Sequence, residues 1–366
     1  MSAHIIAARR SAVVPRGGAF ARLSLEQLAA PVIAALLADA GIAADAVDEV
    51  ICANALGAGG NPARRVALAA GIGHVAGLTI DRQCVGGLDA ILLARALIAS
   101  GAARVVIAGG VESYSRRPWR LRTDPDGGAA VAYDQPAFTP WPDRDPDMAV
   151  AADTLAARFG ISRRAQDDWA IASHRTALAA DMGREIVPIA GQTHDAFARV
   201  LTPALALRAK PISGTITAAN AAVAADAAAF VVVVGDGHAT SRGMQIIAGA
   251  TLGSDPMEPG LAPVPAIARV LQQAAITPRD LAVVEMMEAY AAQAIGCTLA
   301  AKLDVTCMNL SGGALARGHP IGASGAILAV RLFHQLQQGY GLAAIAAAGG
   351  LGTAVIVRRL PPSRRK

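Results

Sequence analysis

Two stretches far apart in this chain are written to the same pattern. Gly87-Leu88-Asp89-Ala90-Ile91-Leu92-Leu93-Ala94-Arg95 and Ala323-Ser324-Gly325-Ala326-Ile327-Leu328-Ala329-Val330-Arg331 both carry apolar residues at helical spacing. Each is followed by an apolar strand pattern ending in paired glycines, 103–108 before Gly109-Gly110 and 342–348 before Gly349-Gly350. A helix feeding a β-branched or Ala-rich strand, twice, predicts βαβ units in a parallel or mixed sheet. Internal similarity on this scale predicts two similar halves stacked into one α/β body, and 366 residues are enough for two such cores.

Between the halves the texture changes. Residues 116–147 are rich in Pro, Asp, Arg and Trp and read as an irregular surface excursion. Helices are expected at 149–159 and 164–182, the second capped by Ser162, and a hydrophobic strand at 230–234. The expected organisation is an N-terminal half over 1–240, with a loop domain inserted at about 116–213, and a C-terminal half over 241–366.

Hydrophobic residues make up 54% of the chain and charged ones 17%, but the excess is Ala, Val and Gly. The longest uncharged run, 341–357, is interrupted by glycines and is too short for a membrane span, so it reads as two buried strands around a turn. No membrane partner is expected. Residues 1–10 carry no secretory pattern, which predicts a cytoplasmic protein. The four cysteines, at 52, 84, 297 and 307, form neither a C-x-x-C pair nor a metal-ligand spacing. No metal is expected, and Cys52, Cys297 and Cys307 read as small buried hydrophobes. A net charge of +5 would favour polyanions in general. Its main contributors, Arg116, Arg117, Arg120, Arg122 and the tail from Arg358 to Lys366, lack aromatic interleaving and read as solvated surface, with no nucleic-acid partner.

Two residues carry the candidate chemistry. Cys84 stands just before the first repeated helix, where unpaired N–H groups and the helix dipole favour a thiolate, and Gly86 and Gly87 would leave room for a thioester beside the sulfur. A cysteine in that position is also often structural. His319 lies in Gly318-His319-Pro320-Ile321-Gly322 before the second repeated helix, and a neutral imidazole in reach of a thiol can take its proton.

The second of these segments resembles the GHPIG(A/C)SG signature of the thiolases, and the first resembles the segment in which their nucleophilic cysteine opens a helix. The resemblance runs through most of the chain in register: Asn61-Pro62-Ala63-Arg64, Ala108-Gly109-Gly110-Val111-Glu112-Ser113, Ile161-Ser162-Arg163 with Gln166-Asp167, and Glu288-Ala289-Tyr290. It implies the thiolase fold, duplicated halves in a five-layered αβαβα arrangement with a loop domain. By the same resemblance Cys84 is the acylated nucleophile and His319 its base, and backbone N–H groups of Cys84 and Ala348 form an oxyanion hole, for which no particular side chain is needed. A coenzyme A thioester is then a substrate, with no permanently bound cofactor. A homodimer is implied, with a tetramer left open.

Three positions depart from the family pattern. Ala346 stands where a second catalytic cysteine is expected, Met287 replaces the Asn that holds a catalytic water, and Ala222 replaces a pantetheine-contacting Ser, with Val223 crowding the next position. A thioether cannot donate a hydrogen bond, so Met287 is expected to displace that water. Upstream of Ala222, Arg208 and Lys210 are candidates for a coenzyme A phosphate or are simply a solvated pair. Acylation of Cys84 needs none of the missing groups, whereas Claisen condensation needs them, and Glu288 or Tyr290 could serve as a replacement base. Two functional readings follow: an acyl-CoA acyltransferase with altered acceptor chemistry, or a catalytically degenerate thiolase-like structural or acyl-CoA-binding subunit.

Overall fold

The duplicated pattern folds into two half-sheets of the same strand order. The computed structural model describes residues 2–57, 59–240 and 243–360. In chain order the first half comprises β1 (Ala3–Ser11), α1 (Leu25–Ala40), β2 (Glu49–Ala53), α2 (Pro62–Ala69), β3 (Leu78–Ile80), α3 (Gly86–Ser100) and β4 (Val105–Glu112). After the inserted helices α4 (Met148–Phe159) and α5 (Arg163–Ala179), β5 (Ala225–Gly235) closes it. The second half comprises β6 (Met244–Gly253), α6 (Pro263–Ala274), β7 (Leu281–Met286), α7 (Ala291–Ala301), α8 (Ile321–Gln335), β8 (Gly339–Ala347) and β9 (Leu351–Arg359).

The first half runs β3-β2-β4-β5-β1 and the second β7-β8-β9-β6. The parallel step β2 to β4 in the first half, and β7 to β8 in the second, is followed by two antiparallel ones, and in the first half β3 adds a further parallel pair at the edge. The halves join where β1 and β6 pair antiparallel, His4 opposite Gln245 and Ile5 opposite Met244.

Both faces of each half-sheet are covered, and the strands accordingly read as near-continuous apolar runs. Along β5, Ala229, Val231 and Val233 face a central core while Ala228, Phe230 and Val232 face an outer one with Leu28, Val32 and Leu36 of α1. Along β9, Val355 and Val357 enter the same central core, and Ala354 and Ile356 pack outward on Ile267 and Val270 of α6. The central core is filled by α3 and α8, through Leu88, Ile91, Ile327 and Leu332. The layers are therefore helix, sheet, paired central helices, sheet, helix. The apolar stretch Gln83–Ser100, long enough to cross a bilayer, contains α3, with Leu88, Ile91 and Ile98 buried in this core.

Several sequence expectations need correction. Gly109 and Gly110 lie inside β4, which continues to Glu112. A Cβ at Gly109 would sit 2.1 Å from Ala229 O and one at Gly110 2.0 Å from Gly322 O, so these glycines mark close backbone approach within a strand rather than its end. The 341–357 run does form two strands about the turn at 348–350. The second inserted helix is capped by Ser162, whose hydroxyl accepts from Ala165 N, but it ends at Ala179. Within the 116–147 excursion a short hairpin pairs Arg120–Arg122 with Val131–Tyr133. Cys52 and Cys297 are buried, whereas Cys307 is partly exposed. Residues 361–366 of the basic tail lie outside the described residues.

Candidate active site

The site is made by the crossing of α3 and α8. A Cβ at Gly87 would stand 2.4 Å from Ala326 N, and one at Gly325 2.5 Å from Leu88 N, so glycine lets the two helix backbones touch. Gly87 therefore serves helix packing, and Gly86 backs onto Ala53. Neither gives room to a thioester, contrary to the sequence reading. With the helices this close, their N-terminal ends meet, and each end carries one of the two candidate residues.

Cys84 sits in a tight turn, Gln83–Val85, that runs directly into α3. Gln83 adopts a left-handed φ of 52°, costly for a side chain with a Cβ, and its N–H donates to Asp81 Oδ1 at 2.9 Å. His319 precedes α8 and is tied to the first half by its N–H, which donates to Val223 O at 2.7 Å. Its Nε2 lies 3.1 Å from Cys84 Sγ. On the other side of the ring, Nδ1 is 2.7 Å from Ser324 Oγ, which is 3.0 Å from Pro320 O. A carbonyl only accepts, so the Ser324 proton goes to Pro320 O and its lone pair receives Nδ1–H. That chain leaves Nε2 as the acceptor facing the thiol.

Glu112 holds the two halves together beneath the pair. Its carboxylate is fully buried and accepts from Asn54 Nδ2 (2.7 Å), Ala55 N (2.9 Å), Leu56 N (3.2 Å) and Gly322 N (3.0 Å). Burial pushes its pKa up to about 7, against the pull of these N–H donors.

Burial works against the expected thiolate. Burial pushes the Cys84 thiol up to about 12, with Glu112 and Asp81 adding to it against the thiol's own backbone N–H. Burial also pushes His319 down to about 4. Both shifts favour the neutral forms, a thiol beside a neutral imidazole, over the ion pair.

Cys84 and His319 open into one cavity of about 340 Å³. Ala346, Ala347 and Ala348 line it, as does Ala222. Met287 is not among the lining residues; it is buried with the central-core residues, against which Cys84, Ala222 and Ala289 also pack. Val223 likewise stays off the wall, packing over Gly318. Arg208 and Lys210 are exposed, away from this lining. The segment that carries Ala222 is held by part-buried and buried polar groups: Asp153 accepts from Thr215 N at 2.8 Å and Oγ1 at 2.7 Å, and buried Asn220 Nδ2 donates to Asp167 at 3.1 Å.

Glu288 is unavailable as a base in the cavity. It is buried and receives Trp169 Nε1 (3.1 Å), Ser173 Oγ (2.8 Å) and Asn309 Nδ2 (2.8 Å). Tyr290 does line the cavity, and burial pushes its hydroxyl up to about 12.

Sequence reasoning missed the rest of the wall. Tyr114, Arg117, Arg120 and Phe138 line the cavity, so the irregular excursion covers the site. Arg117 and Arg120, read as solvated surface, are part-buried here. The available signal was their position directly after the matched Glu112-Ser113 segment. No group of three His, Cys, Asp or Glu side chains able to hold a metal occurs among the described residues.

Comparison with known proteins places these features in context. The family model "Thiolase, N-terminal domain" matches residues 3–236, and "Thiolase, C-terminal domain" matches residues 242–359. A Bacillus subtilis (strain 168) relative named "Putative acetyl-CoA C-acetyltransferase YhfS" is 40% identical over 97% of this chain and 99% of its own. The Bacillus anthracis acetyl-CoA acetyltransferase superposes with a TM-score of 0.91 at 32% identity, over 98% of this chain and 99% of that one. Human mitochondrial 3-ketoacyl-CoA thiolase in complex with CoA superposes with a TM-score of 0.90 at 29% identity, over 98% of both chains.

Proposed function

This chain belongs to the thiolase family, and from that membership we propose an acyltransferase that works through an acyl thioester on Cys84. The observation that carries the proposal is the 3.1 Å contact between His319 Nε2 and Cys84 Sγ inside a cavity.

In the first half-reaction the thiol proton passes to His319 Nε2 as Sγ attacks the thioester carbonyl carbon of an acyl-CoA. The oxygen that becomes negative is received by the backbone N–H groups of Cys84 and Ala348, a contribution on the order of a hundred- to a thousandfold per donor. The carbon–sulfur bond to coenzyme A then breaks, and the departing thiolate takes the proton back from the imidazolium. The balance is one acyl group moved from coenzyme A to Cys84 and one coenzyme A thiol released. A neutral starting pair suits this shuttle, because the imidazole begins with Nε2 free and ends there again.

The second half-reaction sets the chain apart. The wall position that would hold a proton-abstracting thiol is Ala346, and Glu288 is occupied by three side-chain donors. The acceptor therefore brings its own nucleophilicity: water, an amine or hydroxyl, an electron-rich carbon, or a β-keto compound with an acidic α-proton. The open edge of β3, with Leu78 exposed, is where a second copy would add in a homodimer.

The test is a burst. Mixed with excess acetyl-CoA and no acceptor, the protein should release about one equivalent of coenzyme A per chain, and Cys84→Ser should release none. A burst of equal size in Cys84→Ser would refute the assignment. Its absence with every acyl-CoA tried would favour the degenerate, non-catalytic subunit, for which Ala346 is the supporting observation.

A further inference from the structure

Acyl transfer as described uses none of the charged side chains of the cavity, and one of them has no counter-charge. The Arg120 guanidinium lines the same cavity as Cys84 and is only partly exposed. Its Nη2 donates to Ala55 O at 2.9 Å, and none of the ion pairs among the described residues includes it. Arg117 beside it is paired with Asp134 and lies over the Tyr114 ring. Asp134 is the one carboxylate in the described lining, against two guanidiniums, so the wall carries an uncompensated positive charge.

A guanidinium held partly out of water beside apolar wall loses hydration without gaining a counter-charge. An alkyl acyl chain laid against it would worsen that loss, whereas a carboxylate would convert it into a charge-assisted and potentially bidentate contact. Arg120 and the segment that the family resemblance assigns to coenzyme A come from different parts of the chain. The segment through Ala222 forms a wall with Ala289, to whose carbonyl Ala222 N donates at 2.9 Å. Arg120 instead comes from the excursion and is anchored on Ala55, beside the loop that Glu112 holds.

We propose that Arg120, with the Arg117–Asp134 pair beside it, forms a subsite for a carboxylate at the far end of the acyl chain, so that thioesters of dicarboxylic acids are the preferred donors. This rests on the acyl-Cys84 reading and names its substrate class.

The experiment measures the rate of acyl-Cys84 formation by rapid quench and intact mass, with length-matched donor pairs: succinyl-CoA against pentanoyl-CoA and glutaryl-CoA against hexanoyl-CoA. The carboxylate-bearing member of at least one pair should acylate about tenfold faster or more, the scale of a charge-assisted hydrogen bond. Arg120→Gln, which keeps a donor for Ala55 O, should bring that ratio to near one, and Arg120→Lys should retain part of it. Equal rates within both pairs in the unmodified protein overturn the proposal without any variant. So does an Arg120→Gln effect that slows all coenzyme A donors alike but spares the N-acetylcysteamine thioesters of the same acids, because the anion would then be a coenzyme A phosphate. No adduct from any donor overturns the acyl-Cys84 reading itself, and this one with it.

Discussion

Ser324 and His319 form a one-way hydrogen-bond chain: the hydroxyl gives its proton to Pro320 O at 3.0 Å and receives the imidazole Nδ1–H at 2.7 Å. The chain fixes the tautomer in which Nε2 accepts from Cys84, and it lies within the first turn of α8. Ser324→Ala should therefore slow Cys84 acylation by about ten- to a hundredfold, within the usual contribution of a positioned base. The loss in stability should be only about 1 kcal/mol, the worth of one hydrogen bond. Ser324→Thr should recover most of the rate. Acylation kinetics together with thermal melts check this, and an unimpaired Ser324→Ala would remove the tautomer argument.

The neutral state of the pair has a spectroscopic consequence. With the thiol pushed up to about 12 and the imidazole down to about 4, Cys84 should show no thiolate ultraviolet absorbance at pH 7 relative to Cys84→Ser. Acylation should hold level from about pH 5 upward and fall only as His319 gains a proton near its depressed pKa, since a protonated Nε2 cannot accept. A full thiolate signal at neutral pH would contradict the desolvation account.

Ala346 and Met287 differ in what they can restore. Ala346 lines the cavity, and Met287 is buried in the central-core cluster. Ala346→Cys should raise acetoacetyl-CoA turnover, because it returns a thiol to the wall. Adding Met287→Asn should give no further gain and should destabilise by about 2 to 4 kcal/mol, from a buried amide without partners and a lost apolar side chain. Steady-state turnover and melts of the single and double variants separate the two effects.

Glu112 should behave as a clamp. Replacing it by Gln leaves an amide group facing N–H donors that had a carboxylate, so part of the set from Asn54, Ala55, Leu56 and Gly322 loses its acceptor. A cost of about 1 to 3 kcal/mol is expected, the range for leaving buried hydrogen-bonding groups without a partner. The acylation rate should fall as well, because Gly322 lies in the first turn of the helix beyond His319. A stable variant with full acylation would show that the helix crossing alone aligns the site.

What could be read in the sequence was what repeats or is bound to a local motif. The 87–95 and 323–331 helices, the turn at 348–350 and the pairing of Cys84 with His319 were all legible, because periodicity and short segments report on themselves. The facing of a side chain at the end of a strand was not. Met287 follows β7 by one residue, and local sequence does not say whether that position turns to core or cavity. Arg117 and Arg120 were misread for the opposite reason: arginines in a Pro-rich stretch look solvated until the fold lays that stretch over the nucleophile. Thiolate formation at Cys84 was inferred from the helix N-terminus, and the burial that works against it belongs to the assembled core.

The central claim concerns a bond to one sulfur, and peptide mapping by mass spectrometry after incubation with acyl-CoA reads that bond directly. The account predicts a single acyl group on the peptide containing Cys84, absent in Cys84→Ser and strongly reduced in His319→Ala, with Cys52, Cys297 and Cys307 unmodified. An acyl group on one of those three cysteines that persists in Cys84→Ser would contradict it.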